Sequence, residues 1–202
     1  MNLEGNLIEF IEPGIFRGLS KVWELNLARN KISFLEPRFL EGLSKLTSLQ
    51  LRENFLKELE KDTFEGVKNI NSINLMNNSL TTIHPETFRN LSELHKLSLS
   101  GNKLGNNVNS GSLNNLTVHR LAIENNNIEK LERNVFQGTN RLSSLNISHN
   151  PLKEWSADIF ANLHINSLDI SDCNLTDFPT EIFKNTPRMS NLNLARNRHI
   201  LI

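Results

Sequence analysis

The sequence predicts an α/β solenoid in which successive coils stack in parallel and each coil contributes one short strand. Three observations carry this prediction. A marker asparagine recurs along the 202 residues, apolar residues hold fixed positions around each marker, and the period is unbroken. Seven of the eight marker intervals are 24 residues and one is 23. The markers are Asn6, Asn30, Asn54, Asn78, Asn102, Asn126, Asn150, Cys173 and Asn197.

Residues 70–91 show how each residue type serves one coil. When a repeat is numbered from its first apolar residue, Ile70 is position 1 and Asn78 is position 9. Positions 4 and 6, here Ile73 and Leu75, alternate with an outward residue, as in a strand. An asparagine offers one acceptor and two donors, so it can satisfy the turn's backbone groups between coils. Positions 11, 14, 19 and 22 complete a core that only stacking can bury.

The fifth repeat departs from the pattern. Its positions 14 and 19 are polar, but a shift of one residue brings Val108, Leu113 and Leu116 to the core positions. We expect a one-residue bulge within residues 105–107, compensated before the next strand, because glycine and asparagine tolerate the backbone conformations that a bulge needs.

The two ends of the chain carry partial repeats. We expect Phe10 or Ile11, then Ile15, Phe16 and Leu19, to complete the first coil. The eighth coil takes Cys173 at the marker position, where we expect a buried thiol, and places Phe178 in the core. The chain stops within a ninth repeat, with no cap to shield a terminal coil. The sequence therefore favours a fragment of a longer ectodomain; open ends that meet another chain, as in a homodimer, are the alternative.

The repeat pattern L-x-x-L-x-L-x-x-N/C-x-L resembles that of leucine-rich repeats. Its length and the phenylalanine at position 19 resemble the "typical" class of animal cell-surface and secreted proteins, such as Toll-like receptors, Slit-type ligands and receptors that combine repeats with immunoglobulin domains. The resemblance implies a curved horseshoe, with a concave parallel sheet of about eight to nine short strands and with loops or short helical turns on the convex side. It implies a single domain over residues 1–202, with about eight full repeats. The position-19 phenylalanines are Phe16, Phe64, Phe88, Phe136, Phe160 and Phe183.

Composition excludes several classes of function. The chain has 22 basic and 22 acidic residues, so bulk charge disfavours nucleic acid and acidic membranes as partners. No apolar run is long enough to span a membrane, and the first residues do not form a signal peptide. The single cysteine excludes an internal disulfide. No nucleophile elbow, P-loop, H-E-x-x-H or Gly-rich phosphate loop is present, so we expect no enzymatic activity, cofactor or metal site.

Functional residues are expected among outward positions 2, 3, 5, 7 and 8, because these have no core role. His95, Lys96, His119 and Arg120 are predicted to form a basic, titratable patch in the middle of the concave face. Protonation of its histidines would strengthen binding of an acidic partner. An acidic zone at Asp169 and Asp172 follows three repeats on. The alternative for the patch is a solvated polar surface without a binding role. Trp23 could be a binding hot spot or could equally pack against a cap. The candidate ligand-binding residues are Trp23, Arg52, Met76, His95, Lys96, His119, Arg120 and Glu124.

Five sequons fit a secreted protein, although asparagine is frequent enough here to produce several by chance. Asn146 would carry its glycan on a concave strand. The sequon asparagines are Asn77, Asn90, Asn115, Asn146 and Asn174.

The resemblance thus implies a non-catalytic protein-binding module of an extracellular or cell-surface receptor or adhesion protein, with a protein ligand or co-receptor on the concave face. Two alternatives stay open: a fragment of an innate immune receptor for nucleic acid or another polyanion, and an intracellular scaffold.

Overall fold

Parallel strands run through the whole chain. The structure is a computed structural model that describes residues 1–139, 141–156, 158–161, 163–176, 180–183, 186 and 188–198. One eight-stranded sheet follows the order of the sequence, and each of its neighbouring pairs is parallel. Two small two-stranded parallel sheets lie outside it. This solenoid confirms the predicted fold class.

The strands are short because each coil must turn after its core residues. The eight-stranded sheet has the order β1-β2-β4-β6-β7-β9-β11-β12, and the small sheets pair β3 with β5 and β8 with β10. In chain order the strands are β1 (Glu24–Asn26), β2 (Ser48–Gln50), β3 (Glu58–Leu59), β4 (Ser72–Asn74), β5 (Thr82–Ile83), β6 (Lys96–Ser98), β7 (Arg120–Ala122), β8 (Lys130–Leu131), β9 (Ser144–Asn146), β10 (Glu154–Trp155), β11 (Ser167–Asp169) and β12 (Asn191–Asn193).

The strand register stacks like residues on like. Leu49 pairs with Leu25 on one side and Ile73 on the other, and all three are fully buried. The phenylalanines at position 19 extend the core behind the sheet, where the rings of Phe64 and Phe88 stack with centroids 5.7 Å apart. Each coil thus buries its apolar side chains against its two neighbours, as the repeat predicts.

The marker asparagines bind neighbouring coils together. Asn78 Nδ2 donates to Leu75 O in its own coil and to Leu51 O in the preceding coil, both at 3.0 Å. Asn78 Oδ1 accepts from Leu56 N at 3.1 Å. Backbone groups that lie between coils are therefore satisfied by one side chain. The same three-bond pattern recurs at Asn30, Asn54, Asn102, Asn126, Asn150 and Asn197.

Position 8 adopts a left-handed backbone in coil after coil. Gly101 has φ +66°, and a Cβ there would lie 2.2 Å from Asn77 Oδ1, so a larger residue would have to displace the exposed Asn77 amide. Other coils place ordinary residues in the same region, at a cost of about 1 kcal/mol each. The non-glycine residues, with φ between 52° and 56°, are Arg29, Glu53, Asn77, Asn125, His149, Asp172 and Arg196.

The fifth coil carries a 3-10 helix at Gly105–Ser110, and a second 3-10 helix lies at Thr180–Phe183. The predicted one-residue bulge is therefore wrong: the extra residue is absorbed by a helical turn that separates the two small sheets. The predicted change of frame is confirmed, since Val108, Leu113 and Leu116 are buried.

The first coil is less buried than predicted. Ile11 is the core residue, whereas Phe10 is exposed. Ile15 and Leu19 were expected in the core, but they are 60% and 38% exposed because no coil covers them on that side. Phe178, assigned to the eighth coil, lies outside the described residues.

Replacing Asn78 by alanine tests the marker network. The change leaves Leu56 N buried without a partner and removes one of the two side-chain donors from Leu51 O, which keeps its bond from Asn54, so Asn78→Ala should lower the free energy of unfolding by about 2 kcal/mol. The exposed Asn90 makes no side-chain hydrogen bond in the described part of the chain, and Asn90→Ala should change stability by less than about 0.5 kcal/mol. Urea unfolding of both variants is the measurement; equal losses would contradict the role of the marker.

Asn125 allows the left-handed position to be tested without disturbing an ion pair. A β-branched residue fits this conformation poorly, so Asn125→Val should destabilise the fold by about 1–2 kcal/mol. Asn125→Gly should be neutral within about 0.5 kcal/mol, since glycine adopts positive φ freely. The two urea midpoints should therefore differ, and identical midpoints would show that the backbone can relax there.

Candidate functional site

The concave face is formed by the outward residues of the eight-stranded sheet. The structure brings the predicted basic patch together: the rings of His95 and His119 stack with centroids 4.8 Å apart and an interplanar angle of 16°. Lys96 and Arg120 pair in register on the adjacent strands and are exposed. Protonation of both histidines would place two like charges face to face, which an anion alongside would relieve.

Three further basic residues extend this patch, and sequence reasoning missed them. Arg141, His164 and Arg188 each precede the first core residue of a coil, immediately before position 1, and all three are exposed. This position was not among those expected to face outward. A cation or histidine there in three successive coils was the signal that could have revealed them. We call the whole set the basic rim; it comprises His95, Lys96, His119, Arg120, Arg141, His164 and Arg188.

The cations of the basic rim are electrostatically uncompensated. Lys96, Arg120, Arg141 and Arg188 form no ion pair or side-chain hydrogen bond within the described part of the chain. By contrast, seven of the eleven arginines do form ion pairs, all of them away from the rim. Positive charge at the rim is therefore free to act on a ligand.

Arg52, a predicted ligand-binding residue, forms ion pairs within the protein. It forms an ion pair with Glu4 at 2.7 Å and another with Glu53. Arg29 also contacts Glu53, at 3.0 Å, and this hydrogen bond lowers the pKa of the Glu53 carboxyl. The charges in this cluster offset one another, so Arg52 offers a ligand less than its position suggests.

The predicted acidic zone is also compensated. Asp172 pairs with Arg196 at 2.6 Å and lies 3.6 Å from His149. Asp169 is half-buried, which raises its pKa, but hydrogen bonds from Ser171 outweigh burial and hold the pKa below its usual value. These aspartates therefore act mainly within the fold.

Position 5 has a structural role that the sequence reading did not assign. The side-chain oxygen of Asn74 accepts a hydrogen bond from Met76 N, two residues on, at 3.1 Å. This local bond closes the end of the strand, so these side chains are only partly available to a ligand. The same bond occurs at Asn26, Asn146, Asp169 and Asn193.

The remaining candidates lie apart from the rim. Trp23 is 63% exposed and precedes β1, three coils from His95, or about 14 Å at the usual strand spacing. Met76 and Glu124 are half-buried at position 7. Glu124 Oε2 is buried and has no hydrogen-bond partner among the described residues. A cationic group of a ligand could satisfy that oxygen.

The sequons differ in accessibility. Asn77, Asn90, Asn115 and Asn174 are exposed, whereas Asn146 is half-buried in β9. Glycosylation at each of them stays a prediction.

The described residues also bear on metal binding and membrane insertion. No group of three or more His, Cys, Asp or Glu residues within the described ranges could hold a metal ion. Among the same residues, no helix has the length and apolar character needed to cross a membrane.

The repeat pattern matches a known family. Residues 1–54, 44–104 and 116–175 match the leucine rich repeat family, and the chain therefore belongs to that family. No curated protein matches the chain at a significant level.

Solved structures show the same solenoid. The chain is similar to a chain of the Toll–Spatzle complex of Drosophila (TM-score 0.84, 23% identity), covering 97% of this chain and 26% of that one. It is similar to a chain of the TLR13–ssRNA13 complex (TM-score 0.75, 25% identity; 100% and 33%). It is also similar to the leucine-rich repeat domain of APL1B (TM-score 0.72, 20% identity; 100% and 65%). The chain thus spans less than two thirds of each of these.

Cys173 is buried at its marker position, as predicted. Its thiol lies 3.5 Å from Ile147 O and 3.4 Å from Ser171 O. A thiol is a poor acceptor, and Leu152 N, which an asparagine would have bound, instead donates to Asn150 O at 2.7 Å. Burial raises the pKa of the Cys173 thiol to about 11, so the residue is structural.

This pKa shift predicts a loss of stability at alkaline pH. The folded thiol ionises near pH 11 and the unfolded thiol near its ordinary value of 9.0. The contribution is therefore complete below pH 9 and is lost as pH rises towards 11, about 3 kcal/mol in all. Urea unfolding between pH 8 and 11 should show this slope in the native chain and a shallower one in Cys173→Ala. Equal slopes would contradict the burial effect; the chain has no tyrosine to complicate the comparison.

Proposed function

We propose that this chain is a non-catalytic protein-binding module of a cell-surface or secreted receptor or adhesion protein, with its ligand mainly on the concave face. The observation that carries the proposal is the basic rim: a run of exposed, unpaired cations on a rigid parallel sheet. Stacked strands hold the backbone of the rim in place, so no backbone ordering is needed on binding, and this favours a broad protein contact.

The solved structures support a binding role without identifying the ligand. One similar chain is in a complex with Spatzle, and another is in a complex with single-stranded RNA. This chain covers 26% and 33% of those two chains, so their ligands are analogies. The five sequons are consistent with an extracellular location, either as a single domain or as part of a longer ectodomain.

A polyanion receptor is the second candidate function. The basic rim and the similarity to the RNA-bound chain favour it. Binding to single-stranded nucleic acid usually also relies on aromatic side chains that stack on the bases. Trp23, the exposed aromatic residue of the concave face, lies about 14 Å from the rim at the usual strand spacing. We therefore favour a protein ligand. An intracellular scaffold is the third candidate, and N-glycans on the native protein would exclude it.

Site-specific cross-linking tests the proposed face. A photoreactive p-benzoylphenylalanine in place of Met76 would report contacts on the concave face, and one in place of the exposed Glu60 would report contacts beside β3, outside the large sheet. The experiment uses the full-length protein displayed on cells that respond to it. The Met76→p-benzoylphenylalanine variant should then form a protease-sensitive adduct, which is seen as a shift on a denaturing gel. Adducts that form only from position 60, or that are removed only by nuclease, would overturn the proposal.

A further inference from the structure

We infer that the basic rim docks an extended acidic segment of a protein partner; this inference rests on the proposed function and specifies its ligand. An open hollow of about 490 Å³ lies at the centre of the C-terminal part of the rim. Its walls combine cations, imidazoles and two neutral polar side chains. The lining residues are His119, Arg141, Ser143, His164, Asn166 and Arg188.

The backbone carbonyls of His95 and His119 are already satisfied. His95 O accepts hydrogen bonds from His119 N and Arg120 N, both at 2.9 Å. The carbonyl of His119 accepts two bonds from the next coil in the same way. A ligand therefore meets side chains rather than a free strand edge, and recognition has to come from their charge. Guanidinium groups bind carboxylates with two parallel hydrogen bonds, so acidic side chains suit the rim.

Three exposed arginines outside the rim differ from those of the rim because they form ion pairs. Arg17, Arg38 and Arg133 are also exposed, but each has a carboxylate partner within 3.2 Å. The rim groups four cations without an ion pair among the described residues, Lys96, Arg120, Arg141 and Arg188. Glu93 is the acidic residue nearest to the rim in sequence, and it lies at the end away from Arg188. The C-terminal part of the rim is thus a local excess of positive charge on a neutral protein.

The chemistry of the hollow favours a polypeptide. The Asn166 side chain is exposed, and its amide forms no side-chain hydrogen bond among the described residues. It can bind both the N–H and the C=O of a peptide group. The lining of the hollow holds no Phe or Trp ring on which a base could stack, and the ring of His119 already stacks on that of His95.

The length of the rim sets the size of the segment. Five coils at about 4.8 Å per strand span about 19 Å, which an extended chain covers with about six residues. An acidic stretch of this length could place several carboxylates along the rim.

A labelled peptide tests the inference directly. The probe is fluorescein-labelled, N-acetylated hexaglutamate, and binding is followed by fluorescence anisotropy with the full chain at low salt. Arg141→Gln combined with Arg188→Gln should weaken binding about tenfold, since two exposed charge contacts are lost. The matched control combines Lys57→Gln with Lys103→Gln, which removes the same charge from exposed, unpaired positions outside the rim. The control should bind within about twofold of the native chain.

The outcomes separate the inference from the proposed function. Tenfold weakening in the rim variant alone supports the inference. Equal affinity in the rim variant and the native chain, or equal losses in both variants, would overturn it. A sulfated heparin octasaccharide or a decathymidylate that displaces the peptide at lower concentration than unlabelled hexaglutamate would also overturn it, in favour of another polyanion. If the peptide fails while the photoreactive residue at position 76 still captures a protein, the rim is rejected and the proposed function stands.

Discussion

The fold depends on satisfying the backbone groups that the turns bury between coils. Each marker asparagine does so with one side chain, which bonds its own coil and the coil before it. A buried amide or carbonyl left without a partner costs about 1–3 kcal/mol, so the repeated network outweighs the cost of the left-handed residue beside it. Because side chains join the coils at the turns, strands of three residues suffice for the large sheet. Cys173 shows the limit of the rule: its coil stacks, but Leu152 N must turn to its own backbone.

The same architecture limits where a ligand can be recognised. Outward positions were expected to have no core role, yet position 5 caps the strand, position 8 is held in a left-handed conformation, and Ser98 and Ser100 are buried. Outward side chains take least part in structural contacts where the chain enters each strand. Lys96, Arg120, Arg141 and Arg188 lie there without ion pairs among the described residues, which is why we propose the rim as the part of the concave face that a ligand contacts.

The sequence is sufficient to predict the features that recur in every repeat. The strand core residues of the interior coils, the buried thiol and the change of frame around Val108 follow from position alone, whereas Ile15 and Leu19 of the first coil do not. Contacts between side chains of different coils do not. Arg52 reaches Glu4, 48 residues away, because two coils of the solenoid bring their long side chains together. A position predicts the face on which a residue lies, but its partner depends on which neighbours are long and charged. Arg141, His164 and Arg188 were missed for a related reason, since they stand just outside the positions expected to face outward.

Net charge is therefore a poor guide to what this face can bind. Screening limits electrostatic interactions to about 8 Å at physiological ionic strength, which is less than two strand spacings. A ligand at the rim senses the cations within that radius and little of the paired charge elsewhere. Composition describes only the average charge over the molecule, whereas the structure brings several cations that have no ion-pair partner among the described residues together along one rim.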